Sequence, residues 1–129
     1  MSLLNKIFGG SKEPKVEKIL PWIPLNDIQQ IQDIIKKSNV KTQAIFKHST
    51  RCGISRMVMN QFIDLYNLTE DDLDLYYLDL LNYRAISDEV GVAFMVMHES
   101  PQLIVIKNGK AVMHASHGAI NNISLQGFV

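Results

Sequence analysis

The chain contains one cysteine, Cys52, which lies in the segment FKHSTRCGISRMVMNQF between a β-like run and a helix-like run. A single cysteine cannot form an internal disulfide, so any disulfide chemistry must be shared with another molecule. A lone cysteine is often a small buried hydrophobe, but the flank HSTRCGISR is polar and contains glycine. The segment therefore favours a reactive thiol over a core side chain.

This thiol stands where a predicted strand ends and a predicted helix begins. The apolar run in VKTQAIFKH predicts a buried strand that ends near His48. From Gly53 the apolar residues follow helical spacing, which predicts a helix ending near Asn67. Cys52 is then at or near the N-cap, where the free N–H groups of the first turn favour a thiolate over a thiol. Arg51 next to it is a candidate source of further positive charge.

The remaining elements alternate between helices and strands. Asn26 can cap a helix that reaches Lys37, DLYYLDLL predicts a strand, and YRAISDEVGVAF predicts a third helix. After Pro101, the pair Asn108–Gly109 between two apolar runs predicts a hairpin, and GAINNISLQGFV predicts a final helix. This order indicates an α/β fold with a mixed central sheet flanked by helices on both faces.

Length and charge narrow the class of protein. With 129 residues and 47% hydrophobic content, one domain is expected, over residues 25–129, after a flexible or loosely docked leader at 1–24 that Trp22 anchors. A membrane contact by residues 3–8 is less favoured than a frayed terminus. Thirteen basic and thirteen acidic residues form no basic block, which argues against nucleic acid. No run is long enough to span a membrane, and a cytoplasmic protein is expected.

Two further sets of residues could suggest other sites. A metal site is disfavoured because the histidines need not converge, although tuning of Cys52 or substrate contact by His48 or His117 stays open. The methionines are interpreted as adaptable core residues rather than a cofactor site. The histidines are His48, His98, His114 and His117. The methionines are Met57, Met59, Met95, Met97 and Met113.

Three segments together carry a family resemblance: FKHSTRCGIS, YYLDLLNYRAIS and HESPQLIVIKNGKAVMHASH. They resemble a thioredoxin-like domain and, more narrowly, the YtxJ family of monothiol bacilliredoxins in the bacillithiol system. The resemblance covers about Leu25 to Ile123. It implies a thiol–disulfide oxidoreductase that needs no cofactor, with bacillithiol as co-substrate and bacillithiol-modified proteins as partners.

The resemblance also implies roles for individual residues. Cys52 takes the place of the nucleophile, and Ser55 stands where a resolving cysteine would be, so only monothiol exchange is open to this chain. Ser55 is a candidate hydrogen-bond donor to the Cys52 sulfur. The resemblance further implies a cis Ser100–Pro101 bond that lies against Cys52, with the Ser100 backbone pairing with the substrate. The candidate substrate-binding residues are Arg51, Gly53, Ile54, Ser100 and Pro101.

Two alternatives to enzymatic exchange remain. The protein could be a redox sensor or binding module whose surface changes when Cys52 is modified. It could also carry an iron–sulfur cluster, because CGIS resembles the Cys-Gly-Phe-Ser site of monothiol glutaredoxins. Those proteins have a paired-glycine and aspartate segment after the proline strand, where this chain has IKNGKAVMH. Cluster binding therefore ranks below thiol exchange.

Overall fold

The strand that precedes Cys52 forms the centre of a five-stranded sheet in a computed structural model, which describes residues 18–129. The strands are β1 (Trp22–Pro24), β2 (Thr42–His48), β3 (Leu73–Asp79), β4 (Gln102–Lys107) and β5 (Lys110–Ser116). The helices are α1 (Gln30–Lys37), α2 (Gly53–Leu65) and α3 (Arg84–Phe94), followed by two short 3₁₀ helices, His117–Asn122 and Leu125–Phe128. Residues 1–17 of the predicted leader, including its candidate membrane contact, lie outside the described residues.

The sheet has the strand order β1-β3-β2-β4-β5. β3 runs parallel to both β1 and β2, whereas β4 runs antiparallel to β2 and β5. All seven residues of β2 are buried, as expected for a strand with neighbours on both edges and helices on both faces. The predicted mixed sheet is confirmed.

Each face of the sheet carries its own apolar layer. Because successive strand residues point to opposite faces, Phe46 packs with Val58 and Phe62 of α2, while Ile45 packs with residues of α1 and α3. The first layer is also covered by Ile120 and Leu125 of the 3₁₀ helices. The central sheet is therefore flanked on both faces, and α2 lies on the face opposite α1 and α3.

The predicted hairpin joins β4 to β5. Lys107 pairs with Lys110, and the two residues between them have positive φ angles, 52° at Asn108 and 76° at Gly109. Asparagine and glycine tolerate this left-handed region better than other residues, which is why the pair marked the turn.

The sheet begins before Leu25, the residue at which the sequence analysis placed the start of the domain. Trp22–Pro24 form β1 and pair in parallel with β3. The indole of Trp22 contacts the rings of Phe62 and Tyr77, with ring centroids 6.1 Å and 5.6 Å away. Trp22 thus anchors this segment as predicted, while the strand itself is too short to show a periodic pattern.

Two helix assignments need correction. α1 begins at Gln30 rather than Asn26, because the Gln30 side chain accepts the N–H groups of Asn26 and Asp27 and so holds them in a turn before the helix. The predicted C-terminal α-helix is instead the pair of 3₁₀ helices, interrupted at Ile123 and Ser124. Its glycines and asparagines have low helix propensity, so packing of Ile120 and Leu125 on the sheet decides the local form.

The interpretation of the methionines as core residues is wrong for most of them. Met95 is 89% exposed and Met97 is 83% exposed, and Met57 and Met113 are exposed as well. Only Met59 of the five packs against the core. Within residues 18–129, no helix is both long enough and apolar enough to cross a membrane.

Candidate active site

The segments that the sequence analysis joined in one site meet at one end of the interior strands β2 and β4. β2 ends at His48, four residues before Cys52, and β4 begins at Gln102, one residue after Pro101. Lys47 pairs with Gln102 in the antiparallel register, so the end of β2 and the start of β4 lie side by side. The Ser100–Pro101 bond is cis, as the resemblance implied.

Cys52 is the N-cap residue of α2, at the predicted position. Its backbone is extended, with φ −104° and ψ 122°, and its carbonyl accepts the Arg56 N–H at 3.1 Å, the first hydrogen bond of the helix. The residue is partly exposed and makes no side-chain capping bond. The thiol is therefore accessible at the end of a helix whose first-turn N–H groups point toward it.

Ser55 lies one turn into α2 and is completely buried. Its hydroxyl oxygen accepts the Ser49 N–H at 3.1 Å and lies 2.8 Å from Nδ1 of His48. The sequence analysis gave this hydroxyl as a donor to the Cys52 sulfur, and the structure places it on His48 and Ser49 instead. The reason is burial, because a hydroxyl removed from water must pair with the polar groups that surround it.

His48 is the buried partner of this serine and is held mostly in the neutral form. Burial lowers the pKa of His48, the nearby carboxylate of Asp79 opposes that shift, and the Arg56 guanidinium adds to it. Asp79 is directly opposite His48 in the β2–β3 register, and its Oδ2 accepts the Asn82 amide at 2.7 Å. A neutral imidazole can accept a hydrogen bond from the Ser55 hydroxyl at Nδ1, which would hold the first turn of α2 against the end of β2.

Ser100 and Pro101 border the site from the β4 side. Pro101 is buried, and its carbonyl accepts the His117 N–H at 3.0 Å. Within residues 18–129 the backbone of Ser100 makes no hydrogen bond to another backbone group. The hydroxyl of Ser100 is buried and has no partner among these residues. Ser100 therefore has backbone groups free for a bound chain.

Comparison with known proteins identifies the family. Residues 23–125 match the family described as monothiol bacilliredoxin BrxC. The chain belongs to this family. A bacilliredoxin acts in thiol redox chemistry, and a single reactive cysteine is what a monothiol member requires.

Solved structures agree with this assignment. A candidate oxidoreductase with a thioredoxin fold is 37% identical, with a TM-score of 0.68, over 82% of this chain and 91% of its own. The thioredoxin of Malassezia sympodialis is 18% identical with a TM-score of 0.65, over 91% and 95% of the two chains. The thioredoxin of Trypanosoma brucei brucei is 13% identical with a TM-score of 0.62, over 87% and 90%. The two thioredoxins show the fold alone, which is the predicted thioredoxin-like α/β fold.

Arg56 is a cation beside the thiol loop of this bacilliredoxin family member, and the sequence analysis missed it. Nη1 of Arg56 donates to the Thr50 carbonyl at 3.1 Å, and Nη2 lies 3.9 Å from the place a Gly53 side chain would occupy. Arg51, the predicted source of charge, is exposed and makes no hydrogen bond within residues 18–129. The spacing of Arg56, four residues after Cys52, was a signal that both lie on one helical face.

Two further predicted substrate-binding residues, Gly53 and Ile54, directly follow Cys52. Gly53 and Ile54 are the first two residues of α2, and Ile54 is 54% exposed. An exposed isoleucine two residues from a thiol offers an apolar contact to a substrate. The substrate-binding role of these residues stays a prediction.

His48 and His98 lie on opposite faces of the sheet, and His114 and His117 lie at its edge strand, β5. His48 contacts Ser55 on the α2 face, whereas His98 contacts Lys47 on the opposite face. His114 and His117 lie in or just after β5 and are exposed. Residues 18–129 hold no cluster of three or more histidine, cysteine or acidic side chains that could bind a metal ion.

Replacing Ser55 with alanine is expected to lower the free energy of unfolding by about 1 to 3 kcal/mol, because the partly buried Ser49 N–H and the buried His48 Nδ1 lose their partner. The measurement is urea unfolding of both proteins at neutral pH. Ser49→Ala is the matched control, since the Ser49 hydroxyl makes no hydrogen bond within residues 18–129. Equal stability of Ser55→Ala and Ser49→Ala would contradict the pairing.

Proposed function

We propose that this protein is a monothiol thiol–disulfide oxidoreductase that removes a small thiol, of the bacillithiol class, from protein cysteines. One observation carries the proposal: the only cysteine is the partly exposed N-cap residue of α2, at the end of the sheet where Ser100 and Pro101 also lie. A substrate chain that exchanges its disulfide here would need the Cys52 nucleophile and would also need backbone groups to pair with, which Ser100 could supply.

The reaction has two steps that together consume one thiol. In the first, the Cys52 thiolate attacks the small-thiol sulfur of a protein mixed disulfide, and the protein sulfur leaves as a thiolate that takes up a proton. Cys52 is then disulfide-bonded to the small thiol. In the second, another thiol attacks the small-thiol sulfur of this adduct, which produces a small-molecule disulfide and regenerates the Cys52 thiolate. The sulfur of the incoming thiol is oxidised to a disulfide and the protein sulfur is reduced to a thiol, so the number of disulfides is conserved and Cys52 undergoes no net change.

The residues around Cys52 suit attack by a single thiol. Ser55 occupies the position of a second cysteine, and its hydroxyl cannot form a disulfide, so the adduct persists until an external thiol arrives. The first-turn N–H groups of α2 lie next to Cys52, whose sulfur carries negative charge when it attacks and when it leaves. Ile54 and the backbone of Ser100 offer the substrate one apolar and one polar contact.

The bacillithiol class of small thiol is proposed from membership of the bacilliredoxin family. The test is to incubate the protein with a model protein whose single cysteine carries bacillithiol, and with the same protein carrying glutathione. Intact-mass spectrometry then follows the small thiol from the model protein to Cys52. We expect transfer with both substrates to be first order in protein, and faster for bacillithiol.

Turnover separates the proposed enzyme from a sensor. With excess reduced bacillithiol present, an enzyme releases many equivalents of model protein for each Cys52, whereas a sensor stops after one. Transfer that ends at one equivalent would overturn the proposed reaction. A faster reaction of the glutathione substrate would overturn only the choice of small thiol.

A further inference from the structure

Lys47 is a fully buried lysine on the face of the sheet opposite α2. Its side chain has no solvent exposure, and by the alternation of strand residues it points to the same face as Ile45, which belongs to the α1 and α3 core layer. Within residues 18–129 the only ion pair joins Lys41 to Asp74, so Lys47 has no carboxylate partner. An ammonium group without an ion-pair partner is costly to bury, which makes its presence in the core a feature to explain.

The contacts of Lys47 lead to the loop before β4. Nζ donates to the Ser87 carbonyl of α3 at 3.3 Å and lies 3.3 Å from Nδ1 of His98. The same imidazole nitrogen is 3.4 Å from the Ser87 hydroxyl. His98 is an exposed loop residue, and Lys47 contacts it from the buried side.

Gln102, the cross-strand neighbour of Lys47, holds the same loop at two more points. It is buried, its Nε2 donates to the Met97 carbonyl at 3.0 Å, and its Oε1 accepts the Glu99 N–H at 3.4 Å. Lys47 and Gln102 pair directly in the β2–β4 register. Two adjacent buried polar side chains therefore fix three consecutive residues, 97–99, that lead into Ser100 and Pro101.

The electrostatics of Lys47 fit a residue that is retained for its contacts. Burial lowers its pKa to about 8, while the nearby Asp88 carboxylate opposes the shift. Methionine has nearly the same length and would fill this space without any charge to desolvate. A lysine that costs stability at a core position fits a role in the function of the protein.

We propose that Lys47 is a positioning residue for the substrate groove, by which we mean the surface between Cys52 and the Ser100–Pro101 segment. Together with Gln102 it holds the 97–99 loop, by contact with His98, in the conformation that presents the backbone of Ser100 to a disulfide-bonded chain. This inference rests on the proposed exchange function and extends it to the opposite face of the sheet. The role is independent of Cys52 itself, because the contacts of Lys47 all lie on the α3 side.

The test compares the full chain with Lys47→Met and His98→Ala. We expect both variants to exchange a protein mixed disulfide roughly 10-fold to 100-fold more slowly, because a displaced loop misplaces the reacting sulfur. Alkylation of Cys52 by iodoacetamide, a small uncharged reagent that needs no groove, should keep the wild-type rate and pH profile. Lys110→Met is the matched control, since it removes a lysine charge at an exposed residue of β5.

An NMR titration of His98 gives a readout that does not need turnover. Burial lowers the pKa of His98 and the Lys47 charge lowers it further, so Lys47→Met should raise its titration midpoint. An unchanged midpoint would overturn the contact. A raised midpoint with exchange within about twofold of wild type in both variants would overturn the positioning role. An inactive wild-type protein would instead reject the proposed function, and loss of the native amide shifts of residues 97–100 in Lys47→Met would still support the loop contact.

Discussion

Replacing Cys52 with serine is expected to reduce small-thiol removal by roughly three orders of magnitude or more, to the uncatalysed rate. The two side chains differ by one atom, but a serine hydroxyl stays protonated at neutral pH and cannot form a disulfide. The proposed adduct forms on the Cys52 sulfur, and the chain has no second cysteine that could substitute for it. The measurement is the rate of release of the model protein thiol under excess mixed disulfide.

Two controls separate chemistry from folding in this variant. Cys52 is the N-cap of α2 but makes no side-chain capping bond, so serine should leave the urea unfolding midpoint unchanged or slightly raised. The Lys110→Met variant removes an exposed charge of β5 and keeps the thiol, so it should retain most of the activity. Exchange by Cys52→Ser at more than a few per cent of the wild-type rate would show that the nucleophile lies elsewhere.

The stability of the protein is expected to rise by about 2 kcal/mol between about pH 7 and about pH 9.5 because of Lys47. The pKa of Lys47 is about 8 in the folded protein, below the ordinary 10.5 of the unfolded chain. Between these values the unfolded chain binds the proton and the folded protein does not. The unfolding free energy therefore increases with pH, and the cost of the buried charge is fully present below the folded pKa.

Lys47→Met should abolish this rise and should itself be more stable than wild type at neutral pH, by about 1 to 3 kcal/mol. Urea unfolding at several pH values measures both effects, and the exposed Lys110→Met variant should keep the wild-type slope. Burial also lowers the pKa of His48 and His98, and it raises the pKa of Tyr66 and Tyr76 to about 12, so these four groups titrate mainly below or above this range. A wild-type slope retained in Lys47→Met would assign the rise to a different group.

The last two residues of β2 make contacts on opposite sides of the candidate site. His48 pairs with Ser55 and connects the end of β2 to the first turn of α2, next to Cys52. Lys47 pairs with His98 and connects the same strand to the loop before Ser100. Because neighbouring strand residues point to opposite faces, one dipeptide contacts both the first turn of α2 and the loop before Ser100.

Features that depend on neighbours along the chain could be predicted from the sequence. The period of the apolar residues located β2 and α2, and the change of period between them placed Cys52 at the helix start. Asn108 and Gly109 marked the hairpin because their positive φ angles are a local requirement. The segments around Cys52 and Pro101 carried the family resemblance, and the bacilliredoxin match agrees with it.

Features that depend on distant segments were decided only by the tertiary structure. A lysine in a strand is ordinarily assigned to solvent, and Lys47 is buried only because α3 and the loop at His98, about forty to fifty residues away, cover it. The Ser55 hydroxyl turned from the thiol to His48 for the same reason, since burial forces each polar group to pair with whatever the packing brings near. The sequence alone determined where the thiol stands, and packing across the sheet determined which side chains support it.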